Sequence, residues 1–252
     1  IFENSVEMNG SINEPILILG KGSVTIFNNH KSYNKSVINF VEFSNLTSPS
    51  LPLNKLSGSV NIYSGKNIIS NSAFSNGSSE DQLNIVHSNV LISDVKFINS
   101  KSDSFDCDFC KGEISNINFL KSGGDALDIS GSNLKISNIV VNYAKDKAIS
   151  VGENSKVDIF NVKIENSSTG LAVKDGSNVN VTNIKLNNIF YDAFMTYIKK
   201  PFYRNYTELN VMELLDARQI QGNLCVRQIN TLAIIENNNC IETKIDINNL
   251  YK

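Results

Sequence analysis

The chain of 252 residues lacks several features that would assign it to a common class. It has no tryptophan, two histidines and four cysteines, which are Cys107, Cys110, Cys225 and Cys240. Four cysteines are too few for a disulfide scaffold of this length. No apolar run reaches the roughly 18 to 20 residues that span a bilayer. A formal net charge of −2 without a basic stripe argues against a nucleic-acid partner.

Asparagine is the residue that the chain has in excess, with 38 copies, or roughly one residue in seven. Aliphatic residues recur between the asparagines, which indicates an asparagine-rich fold rather than a disordered chain. The sequence begins at Ile1 without a methionine or an N-terminal signal. We therefore expect a trimmed or mature fragment.

Apolar residues recur every 22 or 23 positions in three series, and this repeat predicts the fold. The series are Val60, Leu83, Phe105, Leu127, Ile149, Leu171 and Phe194; Ile69, Ile92, Ile114, Ile136, Ile159 and Val181; and Phe74, Phe97, Phe119, Val141, Ile164 and Leu186. Apolar and polar residues alternate within each repeat, which is strand periodicity. Leucine-rich repeats have a similar period, but their patterned leucines are absent. The sequence predicts an all-β, right-handed parallel β-helix with three short strands per coil.

A solenoid of this kind has to protect its ends, because open coils expose unpaired strand edges. The repeat is irregular before residue 37 and fades after residue 195. We therefore predict an N-terminal cap with the first turns at 1–36, the β-helix at 37–195, and the last turns with a C-terminal cap at 196–252.

Five aspartates fall close together in two consecutive coils: Asp103, Asp106, Asp108, Asp125 and Asp128. Successive side chains of a strand face opposite ways, so the inward positions of Phe105, Cys107 and Leu127 turn Asp106, Asp108 and Asp128 outward. The register of the repeat stacks the other two aspartates with Lys147 in a further column that we expect to face outward. Like charges at strand spacing repel each other. Either a ligand or cation offsets that repulsion, or the aspartates bond to nearby backbone amides and lysines neutralise them.

Three interpretations of this cluster stay open: a catalytic centre, a sugar-binding face and a structural role. As a catalytic centre, Asp106, Asp108 and Asp128 are the candidate acid–base residues, because glycosidases use paired carboxyls. The same three residues are the candidate ligands of a Ca²⁺ ion, which takes oxygen ligands. Candidate substrate-binding residues around them are Asp103, Asp125, Lys147, Lys174 and His87.

The ordered motifs of the central coils resemble a known family. They are SEDQLNIVHSN at 79–89, SDSFDCDF at 102–109, GGDALDISGS at 123–132, DKAISVGENS at 146–155, GLAVKDGS at 170–177 and YIKKP at 197–201. This series resembles the right-handed β-helix domain found beside CotH-type kinase-like modules in bacterial surface proteins, within the pectate-lyase-like group. The resemblance implies a bacterial, extracytoplasmic module that faces carbohydrate, with a polysaccharide or cell-surface glycan as partner and a neighbouring kinase-like domain. His87 departs from it, since the family pattern tends to have an arginine there.

Two classes of function follow. The first is a polysaccharide hydrolase, lyase or epimerase that uses the aspartates, and the second is a noncatalytic structural or adhesion module. We expect a monomer and predict no cofactor other than Ca²⁺. Cys107 falls in an inward column, which predicts a packed thiol in the Cys107-x-x-Cys110 motif, whereas a disulfide between Cys225 and Cys240 is an open alternative that depends on export.

Overall fold

The computed structural model describes residues 1–28, 35–49 and 56–250. Residues 29–34 of the predicted N-terminal cap, residues 50–55 of the predicted β-helix and residues 251–252 of the predicted C-terminal cap lie outside that description. Within it the chain is nearly all β, and its parallel strands stack into a β-solenoid of about nine turns. The prediction of a parallel β-helix is confirmed.

The strands are short at both ends of the solenoid, whereas between residues 81 and 189 strands of 12 residues alternate with strands of 4 to 6 residues. The first twelve are β1 (Glu7–Asn9), β2 (Ile16–Leu19), β3 (Val24–Phe27), β4 (Lys35–Asn39), β5 (Val41–Ser44), β6 (Gly58–Tyr63), β7 (Lys66–Ser75), β8 (Asp81–Val86), β9 (Asn89–Ser100), β10 (Asp103–Asp108), β11 (Lys111–Ser122) and β12 (Leu127–Ser130). The others are β13 (Asn133–Ala144), β14 (Lys147–Gly152), β15 (Lys156–Ser167), β16 (Thr169–Lys174), β17 (Asn178–Ile189), β18 (Phe194–Tyr197), β19 (Thr207–Val211), β20 (Leu214–Ile220), β21 (Cys225–Arg227), β22 (Thr231–Ile235), β23 (Asn238–Asn239) and β24 (Ile241–Glu242). A one-turn helix, α1 (Ile247–Leu250), follows them.

These strands form two sheets. The ten-stranded sheet has the order β24-β21-β18-β16-β14-β12-β10-β8-β6-β3. The main path of the fourteen-stranded sheet is β1-β4-β7-β9-β11-β13-β15-β17-β19-β22-β23, with β2, β5 and β20 paired beside it. Among the described residues, no helix is long and apolar enough to cross a membrane.

Each long strand of the fourteen-stranded sheet bends at a residue with positive φ. Asp94, Asn116, Asn138 and Asn161 occupy this corner in successive coils, with φ between 55° and 57°. Asparagine and aspartate tolerate the left-handed backbone better than most residues do. Their side chains also bond from coil to coil, since Asn138 Nδ2 donates to Asn116 Oδ1 at 2.9 Å. The bend divides each long strand in two, which gives the three flat segments per coil that the three apolar series predict.

The three predicted series form the interior of the solenoid. Phe105 pairs in register with Leu83 and Leu127, and Leu127 pairs with Ile149. All four side chains are fully buried. In the third series the phenylalanine rings of Phe74, Phe97 and Phe119 stack at centroid distances of 5.1 and 5.0 Å. The interior is therefore a set of stacked columns, and residues that alternate with them lie on the outer faces.

Candidate functional site

The predicted columns of aspartate lie on the outer face of the ten-stranded sheet. Strand β10 pairs with β8 and β12, and its register places Asp103 beside Asp81. The same register places Asp106 between Asn84 and Asp128. Adjacent strands are about 4.8 Å apart, so these side chains are close neighbours.

We define the acidic face as the six aspartates of this surface: Asp81, Asp103, Asp106, Asp108, Asp125 and Asp128. It is not an open surface, because Asp81 and Asp125 are only 3% and 6% exposed and the other four are half-buried. The prediction that the aspartates share one outer face is therefore confirmed, but two of them are buried. Carboxylates packed in this way are poorly solvated and repel each other.

Burial raises the pKa of five of these carboxyls, and repulsion between them raises it further. The pKa of Asp81 and of Asp103 is raised to about 7, and that of Asp125 to about 8. Burial and the charge of Asp128 raise the pKa of Asp108 to about 6. Burial and the charges of Asp108 and Asp81 hold the pKa of Asp106 well above its usual range. The acidic face therefore retains protons near neutral pH.

Asp103 and Asp125 bond to the backbone of the following coil. Asp103 Oδ1 accepts the backbone N–H of Asp125 at 2.8 Å, and Asp125 Oδ1 accepts that of Lys147 at the same distance. Each bond fixes the start of the next strand. These two aspartates consequently have the structural role that was one of the open interpretations.

Two lysines compensate the C-terminal part of the acidic face. Lys147 is 1% exposed, and its Nζ lies 3.6 Å from Asp125 Oδ1 and 2.5 Å from Asp146 Oδ2. Lys174 is 6% exposed, and its Nζ lies 3.8 Å from Asp128 Oδ1. Both were predicted substrate-binding residues, but their burial gives them mainly the neutralising role.

The carboxyl groups best placed to share a cation are those of Asp103, Asp125 and Asp128, whose oxygens lie within 4.8 Å of one another. This group shares only Asp128 with the predicted Ca²⁺ ligands Asp106, Asp108 and Asp128. Ca²⁺ takes about 6 to 8 oxygen ligands. Two of these carboxylates already accept backbone amides, and the ammonium of Lys147 lies beside Asp125. The trio therefore fits Ca²⁺ poorly.

Asn84 and Tyr63 belong to the same surface, although sequence reasoning gave them no role. Asn84 is 4% exposed, and its Oδ1 has no hydrogen-bond partner among the described residues. Burial and the nearby charges of Asp108 and Asp106 raise the pKa of the Tyr63 phenol. Tyr63 pairs in register with Val86, which pairs with Asp108. Extending the column of Asp108 back by two coils would have found it.

A segment beyond the repeat lies at the C-terminal end of the acidic face. Glu153 accepts a hydrogen bond from Tyr203 Oη at 2.8 Å and one from Lys200 Nζ. Burial raises the pKa of Glu153, but these hydrogen bonds outweigh it and lower the pKa overall. The charges of Glu153 and Lys200 also act on Asp108. Lys200 lies in the YIKKP motif, and the repeat gave no signal that this motif folds back to the aspartates.

His87 lies at the corner beside the acidic face and is exposed. Its ring stacks on that of Phe109 with a centroid distance of 4.7 Å and an angle of 14°. A Cβ at Gly131 would lie 2.5 Å from the Phe109 ring, so the ring rests against the glycine of the next coil. The stack of His87 on Phe109 is thus part of the corner packing.

The cysteines are paired in two disulfides, Cys107–Cys110 and Cys225–Cys240. The prediction of a packed thiol in the first pair is wrong. Cys107 and Cys110 are both fully buried, and Cys110 stands at a corner where Ser132 and Ser155 follow in the next coils. Because that corner turns inward, it brings the two sulfur atoms together across three residues.

No family model, no curated protein and no solved structure matches the chain.

Proposed function

We propose that the acidic face binds a polysaccharide and acts on it by acid–base chemistry, with Asp106 and Asp128 as the reacting pair. The observation that carries the proposal is the contrast between these two neighbours. No side-chain hydrogen bond or ion pair reaches the Asp106 carboxyl within the described part of the chain, and its pKa is raised well above the usual range. The Asp128 carboxylate instead lies 3.8 Å from the Lys174 ammonium.

Two carboxyls in different environments supply an acid and a base at the same pH. The raised pKa of Asp106 suits it to protonate a leaving glycosidic oxygen. Asp128 is suited to act as nucleophile or base. Their strands are about 4.8 Å apart, which approaches the carboxyl separation of about 5 to 5.5 Å in retaining glycosidases. Asp108 flanks the pair, and after burial its charge is the next cause that raises the pKa of Asp106.

Two further observations support an extracytoplasmic carbohydrate-facing role. Disulfides persist in oxidising compartments, and the chain has two. The resemblance of its coil motifs to bacterial surface β-helices agrees with that compartment and with a neighbouring kinase-like domain in the full-length protein.

A polysaccharide panel tests the proposal. The purified protein is incubated with acidic and neutral polysaccharides, and new reducing ends and unsaturated products are measured. We expect Asp106→Asn and Asp128→Asn each to reduce turnover by about 10² to 10⁴, the usual contribution of a general acid or base. Asp94→Asn is the matched control, because Asp94 is exposed on the other sheet and asparagine occupies its column in the adjacent coils. Turnover that survives both acidic-face variants would contradict the proposal.

The second candidate is a noncatalytic structural or adhesion module. It is favoured by the backbone bonds of Asp103 and Asp125 and by the burial of Lys147, which make part of the acidic face a scaffold. In the same panel, this candidate predicts that the wild-type protein turns over no polysaccharide, whether or not it binds one.

A further inference from the structure

A second concave surface lies on the fourteen-stranded sheet, away from the acidic face. It is a trough with a volume of about 430 Å³. One side is the column Glu113, Lys135, Asp158 and Asn180, and the other is the column Ser115, Ser137, Phe160, Thr182 and Met212. The volume falls in the range of ligand pockets, and none of the functions described above uses it.

Phe160 and Met212 make the trough amphipathic. They are 50% and 54% exposed, and Thr182 lies between them in the same column. Ser137 precedes Phe160 in that column, so the exposed ring is flanked by hydroxyl groups on both sides. Side chains two apart on one strand are about 6.6 Å apart. A flat ring at that distance from Asp158 can contact a sugar face while the polar column bonds to its hydroxyls.

The polar column offers both donors and acceptors. Lys135 and Asp158 are exposed and of opposite charge, and Asn180 Nδ2 donates to Asp158 Oδ1 at 3.0 Å. Glu113 adds one more carboxylate at the N-terminal end. Because the charges of this column nearly balance, the column does not strongly attract a polyanion or a polycation. A ligand with many hydroxyl groups can instead form hydrogen bonds with every side chain of the column.

The geometry of the sheet excludes strand addition by an extended peptide at this face. Strand addition needs free backbone N–H and C=O groups at a sheet edge. Strand β15, which carries Asp158 and Phe160, pairs with β13 on one side and β17 on the other. A ligand on this face therefore meets side chains alone.

We propose that this trough is a binding site for an uncharged linear glycan, with Phe160 as the platform for one sugar ring. The chain of sugars runs along the solenoid axis between the two columns. The site is independent of the acidic face, so it holds for an enzyme and for a noncatalytic module alike.

Calorimetric titration of the full chain with cellohexaose, xylohexaose and mannohexaose tests the site. We expect at least one of them to bind, and Phe160→Thr to weaken that binding about tenfold, the upper range for an aromatic contact. Thr182→Lys places a long side chain between Phe160 and Met212 and should block binding. Both positions face solvent at least in part, so circular dichroism melting should show folded variants.

Two control variants separate this site from the acidic face. Phe109→Asn removes a similarly exposed phenylalanine at the other corner and should leave the affinity unchanged. In the double variant Asp106→Asn with Asp128→Asn, which alters the acidic face alone, Phe160→Thr should still weaken binding about tenfold. Loss of binding only in that double variant would assign the glycan to the acidic face and overturn the inference. Failure of all three hexasaccharides to bind the wild-type protein would overturn it as well.

Discussion

Asp125 and Asp106 lie one coil apart on the acidic face, yet only Asp125 has a cationic partner among the described residues. Asp125 Oδ1 lies 3.6 Å from Lys147 Nζ and also accepts the backbone N–H of Lys147 at 2.8 Å. We expect Asp125→Ala to lower the free energy of unfolding by about 1 to 3 kcal/mol, because the buried backbone N–H of Lys147 loses its hydrogen-bond acceptor. Asp106→Asn should leave it unchanged or raise it, because repulsion of roughly 0.2 to 1 kcal/mol per stacked pair is relieved.

Urea unfolding followed by circular dichroism measures both changes. Asp94→Asn serves as the control for replacing an exposed carboxylate. Equal destabilisation by Asp106→Asn and Asp125→Ala would contradict the difference between the two positions.

The raised pKa values of Asp81, Asp103 and Asp125 predict an unusual dependence of stability on pH. Their folded pKa values of about 7, 7 and 8 lie above the unfolded value of about 3.9. Between about pH 4 and pH 8 the folded state therefore binds more protons than the unfolded state, and the contribution of these groups to stability falls as pH rises.

Melting temperatures measured between about pH 4 and pH 8 test whether stability falls as pH rises. We expect the wild-type melting temperature to decline from about pH 5 to pH 8, and Asp81→Asn to flatten the decline because one of the shifted groups is gone. Asp94→Asn should keep the wild-type slope. A melting temperature that rises through the window would mean that these carboxylates are compensated by cations in solution.

At the scale of the strand, the interior columns should dominate stability. Leu127 is fully buried between Phe105 and Ile149 in one column. Stacked coils cannot collapse easily around a missing side chain, so Leu127→Ala should cost about 2 to 5 kcal/mol. Leu120→Ala is the control, since Leu120 is 42% exposed on strand β11 of the other sheet and its loss should change stability by less than about 0.5 kcal/mol. Similar values for the two variants in urea unfolding would contradict a stacked core.

The columns were predictable for two reasons. Successive side chains of a strand point to opposite faces, and the 22-residue repeat determines which residues of adjacent coils lie side by side. That logic placed Asp106 beside Asp128, and register confirms it. The same logic could not predict the solvent exposure of a side chain, because an outward residue is exposed only where no other part of the chain covers it. Lys147 points outward and is 1% exposed. The disulfide Cys107–Cys110 was missed for a related reason, because alternation describes straight strands and Cys110 stands at a corner.

Across the whole molecule, the outer face of the ten-stranded sheet has different surroundings at its two ends. Toward the N-terminus it carries the acidic face. Toward the C-terminus its outward residues are the apolar Ala172, Met195, Tyr197 and Val226, all at most 3% exposed. Ile245, Ile247 and Leu250 of the C-terminal segment pack against them. This segment lies outside the 22-residue repeat, so periodicity gave no indication of where it folds.

The C-terminal segment should therefore act as a cover for the end of the solenoid. Removing residues 244–252 exposes an apolar patch around Met195 and Tyr197, and such patches bind hydrophobic dyes and associate. We expect the shortened chain to bind an anilinonaphthalene dye and to self-associate in light scattering. Ile247→Ala should lower the free energy of unfolding by about 1 to 2 kcal/mol, since it removes part of this contact. Ile241 is 61% exposed and lies just before the segment, so Ile241→Ala is the control that should change neither property. A shortened chain that melts like the wild type and binds no dye would show that these apolar residues are protected by something other than the segment, because four buried outward side chains cannot become exposed to water without a measurable cost.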